Sequence, residues 1–458
     1  MCSYPNLTQA AQLIGCRQIA HLIILPSRIV MSEPLSNEAI SAITAAVDAA
    51  FEDEIAFLQE IVRARSLRGE EAGVQKIIAD ALRDRAYDVE TYGLDVAQLQ
   101  SHPAYSPATI DYTDTFNVSG RKKSAHGGRS LILNAHVDVV PTANPANWTH
   151  PPFAAVREGD WLFGRGAGDM KAGLAANLFA VDAIEAAGFS LKGPLEFQSV
   201  IDEEVTGNGT AAAIMNGATA DAVLIPEPTD EEVTYANSGV IKFRISVQGV
   251  PAHPREPESG LSAIEAAFLV INELKVLEAR WNEEKTSHPG FDDLRNPASL
   301  NIGTITGGEW PASIPFECRF EGRIGFYPGD APQDRMASLE QMLKTLGTKD
   351  PRLEKANPKL EWIGTCQAGY LLAEGSDAEN ALAAAHKITA ETALKRSIMA
   401  CYLDAALYVN HCGIPALTYG PLTKNIHGID ECVNLPSLKR VTKTIALFTA
   451  AWCGIAPT

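Results

Sequence analysis

Apolar residues at Ile40, Ile43, Val47, Phe51, Ile55, Leu58 and Val62 recur three and four positions apart, which predicts one long amphipathic helix over residues 36–64. Beyond it the period changes repeatedly. VQKIIADALRDR (74–85) has helical spacing, LILNAHV (131–137) is an apolar run of strand length, and residues 170–188 form a helix stopped by Gly188. PLEFQSVI (194–201) and AVLIPE (222–227) read as strands on either side of the short helix AAAIMNG (211–217). Strands alternating with helices predict an α/β fold, an open and mostly parallel sheet covered by helices on both faces, in which ligands bind beyond the carboxyl ends of the strands.

The texture changes near residue 238. VIKFRISVQG (240–249) alternates like a half-exposed strand, residues 260–280 are helical, and SLNIGTIT (299–306) and FECRFEGRIGF (316–326) are strands. A helix near 331–346 and the strand KLEWIG (359–364) complete a β-α-β-β-α-β order. That order predicts an inserted ferredoxin-like α+β unit over 238–366, with a four-stranded antiparallel sheet and two helices. The catalytic domain is then discontinuous, 31–237 and 367–458, and resumes with the helix ENALAAAHKIT (379–389), the strand IPALTYG (414–420) and a terminal helix from Leu435.

A chain of 458 residues is long enough for two cores. Its formal charge of −18 disfavours nucleic acid and anionic membrane surfaces as partners, so an anionic substrate needs local positive charge. The eight cysteines (Cys2, Cys16, Cys318, Cys366, Cys401, Cys412, Cys432 and Cys453) show no C-x-x-C pair and no disulfide cadence, which fits a reducing, cytoplasmic compartment. LIGC ending at Cys16 and the apolar run 19–25 are rejected as targeting signals. No basic residue precedes Cys16, and the run is too short to span a bilayer. Residues 1–30 are expected to be a disordered extension before a chain start at Met31.

Five stretches concentrate metal-capable side chains near strand ends or helix starts. NAHVDVVP carries His136 and Asp138, two apart and therefore on the same side of a strand. GRGAGDMKAG carries Asp169, IDEEVTGNG carries Glu203 and Glu204, IPEP carries Glu227, and NIHGIDE carries His427. Each alone has an ordinary structural reading, because adjacent glutamates are usually a solvated face and a lone His is usually a satisfied core residue. Together they would put two histidines and four carboxylates on one rim of one sheet, where cations are the natural compensation for the repulsion, and the ligand count suits two metals. GRGAG lacks the lysine and hydroxyl of a phosphate loop, which ranks a nucleotide-binding enzyme last.

These five motifs in this order, with the W-x4-F spacing of Trp148 and Phe153, resemble the M20 metallopeptidase family, which includes acetylornithine deacetylase, succinyl-diaminopimelate desuccinylase, aminoacylase and carboxypeptidase G. The resemblance runs from about residue 50 to the end. It implies that His136, Asp169 and Glu227 hold one metal and Asp169, Glu204 and His427 the other, with Glu203 as general base and Asp138 behind His136. Zinc is the default metal, with cobalt and manganese open. It also implies a homodimer in which His253, in GVPAHPREP, reaches the neighbouring subunit's site and stabilises the oxyanion, and a hinge near 237–239 and 365–369. Family members carry an Asn three residues before a Pro, where this chain has Ala312. Arg323 is the remaining counterpart for a substrate carboxylate, alongside an ion-pair reading with Glu321 or Asp330. Asp404 and Glu431 read as supporting or structural residues near the site. The implied activity is hydrolysis of a small N-acyl amino acid or related amide, nearest to acetylornithine deacetylation, with dipeptidase, desuccinylase and deformylase as rivals. A non-catalytic relative would have lost Glu203 or a ligand, and none is lost.

Overall fold

In the computed structural model, which describes residues 34–124 and 127–458, the first element is the helix Asn37–Arg63. The expectation for residues 1–30 lies outside the described residues. Ser36 caps the helix by accepting the Ala39 N–H, and Ile43, Val47, Phe51, Ile55, Leu58 and Val62 are buried along one face, as their spacing requires. Each buried side chain of this size contributes roughly 1.5–3 kcal/mol relative to exposure. This face packs with the helices Ala172–Ala186 and Leu435–Cys453, and Asp377–Ala390 extends the same layer. The buried Lys171 closes the far end of the first helix, donating from Nζ to the carbonyls of Ile61 (2.7 Å) and Ala64 (3.0 Å).

The helices flank an eight-stranded sheet ordered Asp88–Gly93, Phe116–Lys122, Leu195–Val200, Leu131–His136, Ala222–Ile225, Ala416–Thr418, Val233–Asn237, Arg396–Met399. Its central run from Leu195–Val200 to Ala416–Thr418 is parallel, so the carboxyl ends of these strands share one edge. Antiparallel pairing enters toward the margins, at Phe116–Lys122 and at Val233–Asn237.

A second sheet, wholly antiparallel, has the order Leu300–Gly307, Glu317–Phe326, Gly239–Gln248, Lys359–Gln367. Together with the helices Ala263–Glu283 and Pro332–Lys349 it gives the β-α-β-β-α-β arrangement, and it has its own core, in which Ile241, Phe243, Ile245 and Val247 meet Leu274, Trp281 and Leu346. The intervening positions Val240, Lys242 and Arg244 point the other way, toward the cavity described below. Where the chain passes between the sheets, two glycines touch. A Cβ on Gly239 would lie 2.9 Å from the Gly369 nitrogen, and one on Gly369 would lie 2.1 Å from the Asn237 carbonyl oxygen.

No helix among the described residues is long and apolar enough to cross a membrane. The six cysteines among the described residues, Cys318, Cys366, Cys401, Cys412, Cys432 and Cys453, are all free thiols.

Glu54, buried on the first helix, accepts a hydrogen bond from Thr442 Oγ1 (2.7 Å), and burial pushes its carboxyl up to about 8. Its folded pKa lies above the ordinary value of 4.5, so the folded state holds the extra proton, and this contribution to stability is lost as pH rises toward and through about 8. The loss of stability between about pH 5 and about pH 9 in denaturant unfolding should be smaller in Glu54→Gln than in wild type by on the order of 2–5 kcal/mol.

Candidate metal centre and substrate pocket

The parallel strands deliver the chemistry to one edge. His136 ends the strand Leu131–His136, Glu203 and Glu204 follow Leu195–Val200, and Glu227 follows Ala222–Ile225. These three strands are adjacent in the sheet. Asp169 comes from the turn before the helix Ala172–Ala186, and its peptide bond to Met170 is cis. His427 comes from the loop between the short strand Thr423–Lys424 and Cys432–Asn434.

Asp169 stands between the two histidines. Its Oδ1 is 3.3 Å from His136 Nε2 and its Oδ2 is 3.4 Å from His427 Nε2. Glu227 Oε1 lies 3.8 Å from His136 Nε2, and Glu204 Oε2 lies 3.0 Å from His427 Nε2. His136, Asp169 and Glu204 offer ligand atoms that all fall within 4.8 Å of one another, a donor set able to hold a divalent cation.

The electrostatics match that crowding. Burial, which alone would raise the Asp169 carboxyl, is outweighed by hydrogen bonds to His136 and His427 that hold it below the usual carboxylate range. His427 is pushed up to about 10 by its bonds to Asp169 and Glu204. Glu203 and Glu227 go the other way, well above the ordinary value, because they are buried beside other acids. Glu203 is 6% exposed, and among the described residues no donor hydrogen-bonds its carboxylate.

The acids behind the cluster are, by contrast, saturated with donors. Asp138 accepts the backbone N–H of Glu203 on Oδ1 and that of Glu204 on Oδ2, both at 3.1 Å. The expected contact between Asp138 and the His136 ring is made by the Asp138 carbonyl oxygen, 3.0 Å from Nδ1, while the carboxylate oxygen stands at 3.6 Å. The carboxylate is drawn instead to the two amides of the glutamate turn. Asp202, in a left-handed conformation (φ 59°), is held by the Arg68 guanidinium, the Tyr112 hydroxyl and the Thr206 hydroxyl. Glu431 accepts the N–H groups of the Asp169 turn and pairs with the buried Arg165. Asp404 accepts from Thr210 Oγ1 (2.6 Å) and Tyr402 OH (2.8 Å), which makes it a packing anchor.

A cavity of about 690 Å³ opens over the cluster, walled on the far side by the second sheet. Lys242 Nζ donates to the carbonyls of Glu204 (2.6 Å) and Val205 (3.1 Å), and Thr365 N–H donates to the same Val205 oxygen (2.7 Å), so this sheet grips the glutamate turn. Arg323, the cross-strand neighbour of Lys242, lines the cavity and bonds Ser299 Oγ at 3.2 Å. Glu321 and Asp330 are committed to Arg244 and Arg335, so among the described residues Arg323 has no carboxylate partner. His253 and Ala312 are both exposed and do not line the cavity.

Sequence reasoning missed Arg68, Arg165, Asp202 and Lys242. Arg165 and Asp202 stand inside stretches singled out for their neighbours, and a buried charge needing a partner was their only signal. Lys242 and Arg244 occupy the polar side of an alternating strand, which is indistinguishable from a solvent face.

Comparison with known proteins agrees with this geometry. The profile described as Peptidase family M20/M25/M40 matches residues 132–451. An N-formyl-4-amino-5-aminomethyl-2-methylpyrimidine deformylase of Halalkalibacterium halodurans is 33% identical over 71% of this chain and 80% of that protein. The enzyme of the same name from Bacillus subtilis is 31% identical over 76% of this chain and 86% of its own length. A succinyl-diaminopimelate desuccinylase of Paracoccus denitrificans is 27% identical over 84% of the chain and 94% of that protein. Among solved structures, the di-peptidase Dug1p of Saccharomyces cerevisiae superposes with a TM-score of 0.75 at 15% identity, covering 92% of this chain and all (100%) of that one. Human carnosine dipeptidase 1 gives a TM-score of 0.71 at 15% identity, covering 90% and 99%, and both likenesses show the shared fold. The chain therefore belongs to peptidase family M20/M25/M40 and is a hydrolase of carbon–nitrogen amide bonds.

Proposed function

We propose that the protein hydrolyses the amide of a small N-acyl amine with two divalent cations, one held by His136, Asp169 and Glu227 and the other by Asp169, Glu204 and His427. The observation that carries this reading is Asp169, whose two oxygens face different histidines at 3.3 and 3.4 Å. Nitrogen and carboxylate donors suit zinc, cobalt or manganese, with zinc the first choice. When bound, the cations supply Lewis-acid polarisation of the amide carbonyl and activate water. Glu203, buried and without a hydrogen-bond donor on its carboxylate among the described residues, takes the proton from the attacking water and passes it to the departing amine nitrogen. Asp138 keeps Glu203 and Glu204 pointed into the site by anchoring both their amides.

Two observations bear on the substrate. The deformylases of H. halodurans and B. subtilis favour a formyl group on a heteroaromatic methylamine. Arg323, which has no carboxylate partner among the described residues, favours an amine that carries a carboxylate, as in an acetylated amino acid. The homodimer is supported by apolar exposure around the sheet edge Leu300–Gly307. Ile305 is 47% exposed, and Phe268 on the adjoining helix Ala263–Glu283 is 54% exposed. In that dimer the exposed His253 serves the partner's oxyanion. The free thiols support a cytoplasmic setting.

Stripping with a chelator should abolish amine release, and re-addition of zinc should restore it. Glu203→Gln is expected to lower kcat by about 10²–10⁴-fold with bound metal unchanged, whereas Glu204→Gln loses metal as well, as elemental analysis would show. Across formyl, acetyl, succinyl and aminoacyl substrates, Arg323→Met should raise KM about 10–100-fold for carboxylate-bearing amines and leave a neutral N-formyl aminomethylpyrimidine untouched. Glu203→Gln and His253→Ala should each be inactive alone and regain activity when their subunits are mixed, because one site of each mixed dimer has both residues intact.

A further inference from the structure

Arg165 lies four residues before Asp169 and is 1% exposed. Its Nη1 donates to Glu431 Oε2, and its Nη2 donates to the carbonyls of Pro141 (3.1 Å) and Gly428 (2.9 Å). The other Glu431 oxygen, Oε1, accepts the N–H groups of Gly166 (3.0 Å), Gly168 (3.0 Å) and Asp169 (3.1 Å). Pro141 belongs to the segment leaving His136, and Gly428 directly follows His427. A single buried ion pair therefore holds backbone from the three loops that present His136, Asp169 and His427.

Neighbouring features brace the same point. The Trp148 ring stacks 5.3 Å from the Arg165 guanidinium, and its Nε1 donates to the Thr142 carbonyl (2.8 Å). The strands Trp161–Phe163 and Cys432–Asn434 pair antiparallel, which brings the stretches around Arg165 and Glu431 side by side. The histidine loop is tightly turned, with Asn425, His427 and Asp430 all in left-handed backbone (φ 55°, 60° and 59°), which these residue types adopt more readily than other non-glycine residues. Glu431 is no ligand in this arrangement, because both its oxygens are occupied by N–H donors.

We propose that Arg165 and Glu431 are the positioning residues that set the distance between His136 and His427, so that the polypeptide builds both metal positions before any cation arrives. This rests on the two-cation reading above. The charge alone would be served by any buried pair; what makes this one a spacer is that its donors and acceptors end on loops that carry ligands.

The test uses chelator-stripped full-length protein titrated with zinc in a calorimeter, with unfolding of the stripped protein followed in parallel. Wild type should take up two ions per chain. Glu431→Gln should bind at least one ion about 10–100-fold more weakly while remaining folded. That variant leaves the Arg165 charge buried without a partner, so the double change Arg165→Met with Glu431→Gln, which removes both charges, guards against simple unfolding and should show the same weakened uptake. Two ions bound at wild-type affinity by the folded double variant would overturn the proposal and leave the pair a stabilising element alone. Fewer than two ions in wild type would instead overturn the two-cation reading beneath it.

Discussion

The structure turns on a concentration of negative charge at one rim of a parallel sheet. Glu203, Glu204 and Glu227, from the ends of two strands of that sheet, meet Asp169, from the turn before the helix Ala172–Ala186, at the floor of one cavity. The acids of this region divide into two kinds. Asp138, Asp202 and Glu431 are saturated by amide, hydroxyl and guanidinium donors and act as struts. Among the described residues the four at the front have histidines as their partners or, for Glu203, none, and this difference in the kind of partner separates the front row from the struts. In the proposed two-cation reading, cations would complete Asp169, Glu204 and Glu227 in the way donors complete the back row.

Much of this was legible in the sequence. The spacing of Ile43, Val47 and Phe51 fixed a helix and its inner face, and the alternation of strand and helix gave the parallel sheet, because both follow from local periodicity. The strands Asp88–Gly93, Phe116–Lys122 and Arg396–Met399 escaped notice, since short strands of mixed polarity carry no strong apolar signal. The six side chains of the cluster were legible through their order along the chain. Their supports were not, since Arg165 finds Glu431 266 positions away and its other partners are carbonyl oxygens, which have no residue type to read.

Substrate recognition was the least legible part for a related reason. The strand Gly239–Gln248 reads as half solvent-facing, yet its polar side looks onto the cavity, where Lys242 is spent on the glutamate turn and Arg323 has, among the described residues, no carboxylate partner. A sequence cannot distinguish a polar face turned to water from one turned to a substrate. Ala312, by contrast, is exposed in the loop between the strands Leu300–Gly307 and Glu317–Phe326 and does not line the chain's own cavity.

Lys171 links the amino-terminal helix to this chemistry. Its ammonium, two residues from Asp169, is solvated by the last carbonyls of the helix Asn37–Arg63 instead of by water. A polypeptide trimmed to residues 132–451 would strand that cation in an apolar interior directly behind the Asp169 turn. Residues with no ligand among them are thereby made part of the active body, and the minimal catalytic unit must include the end of the helix Asn37–Arg63, upstream of the 132–451 segment that the family profile matches.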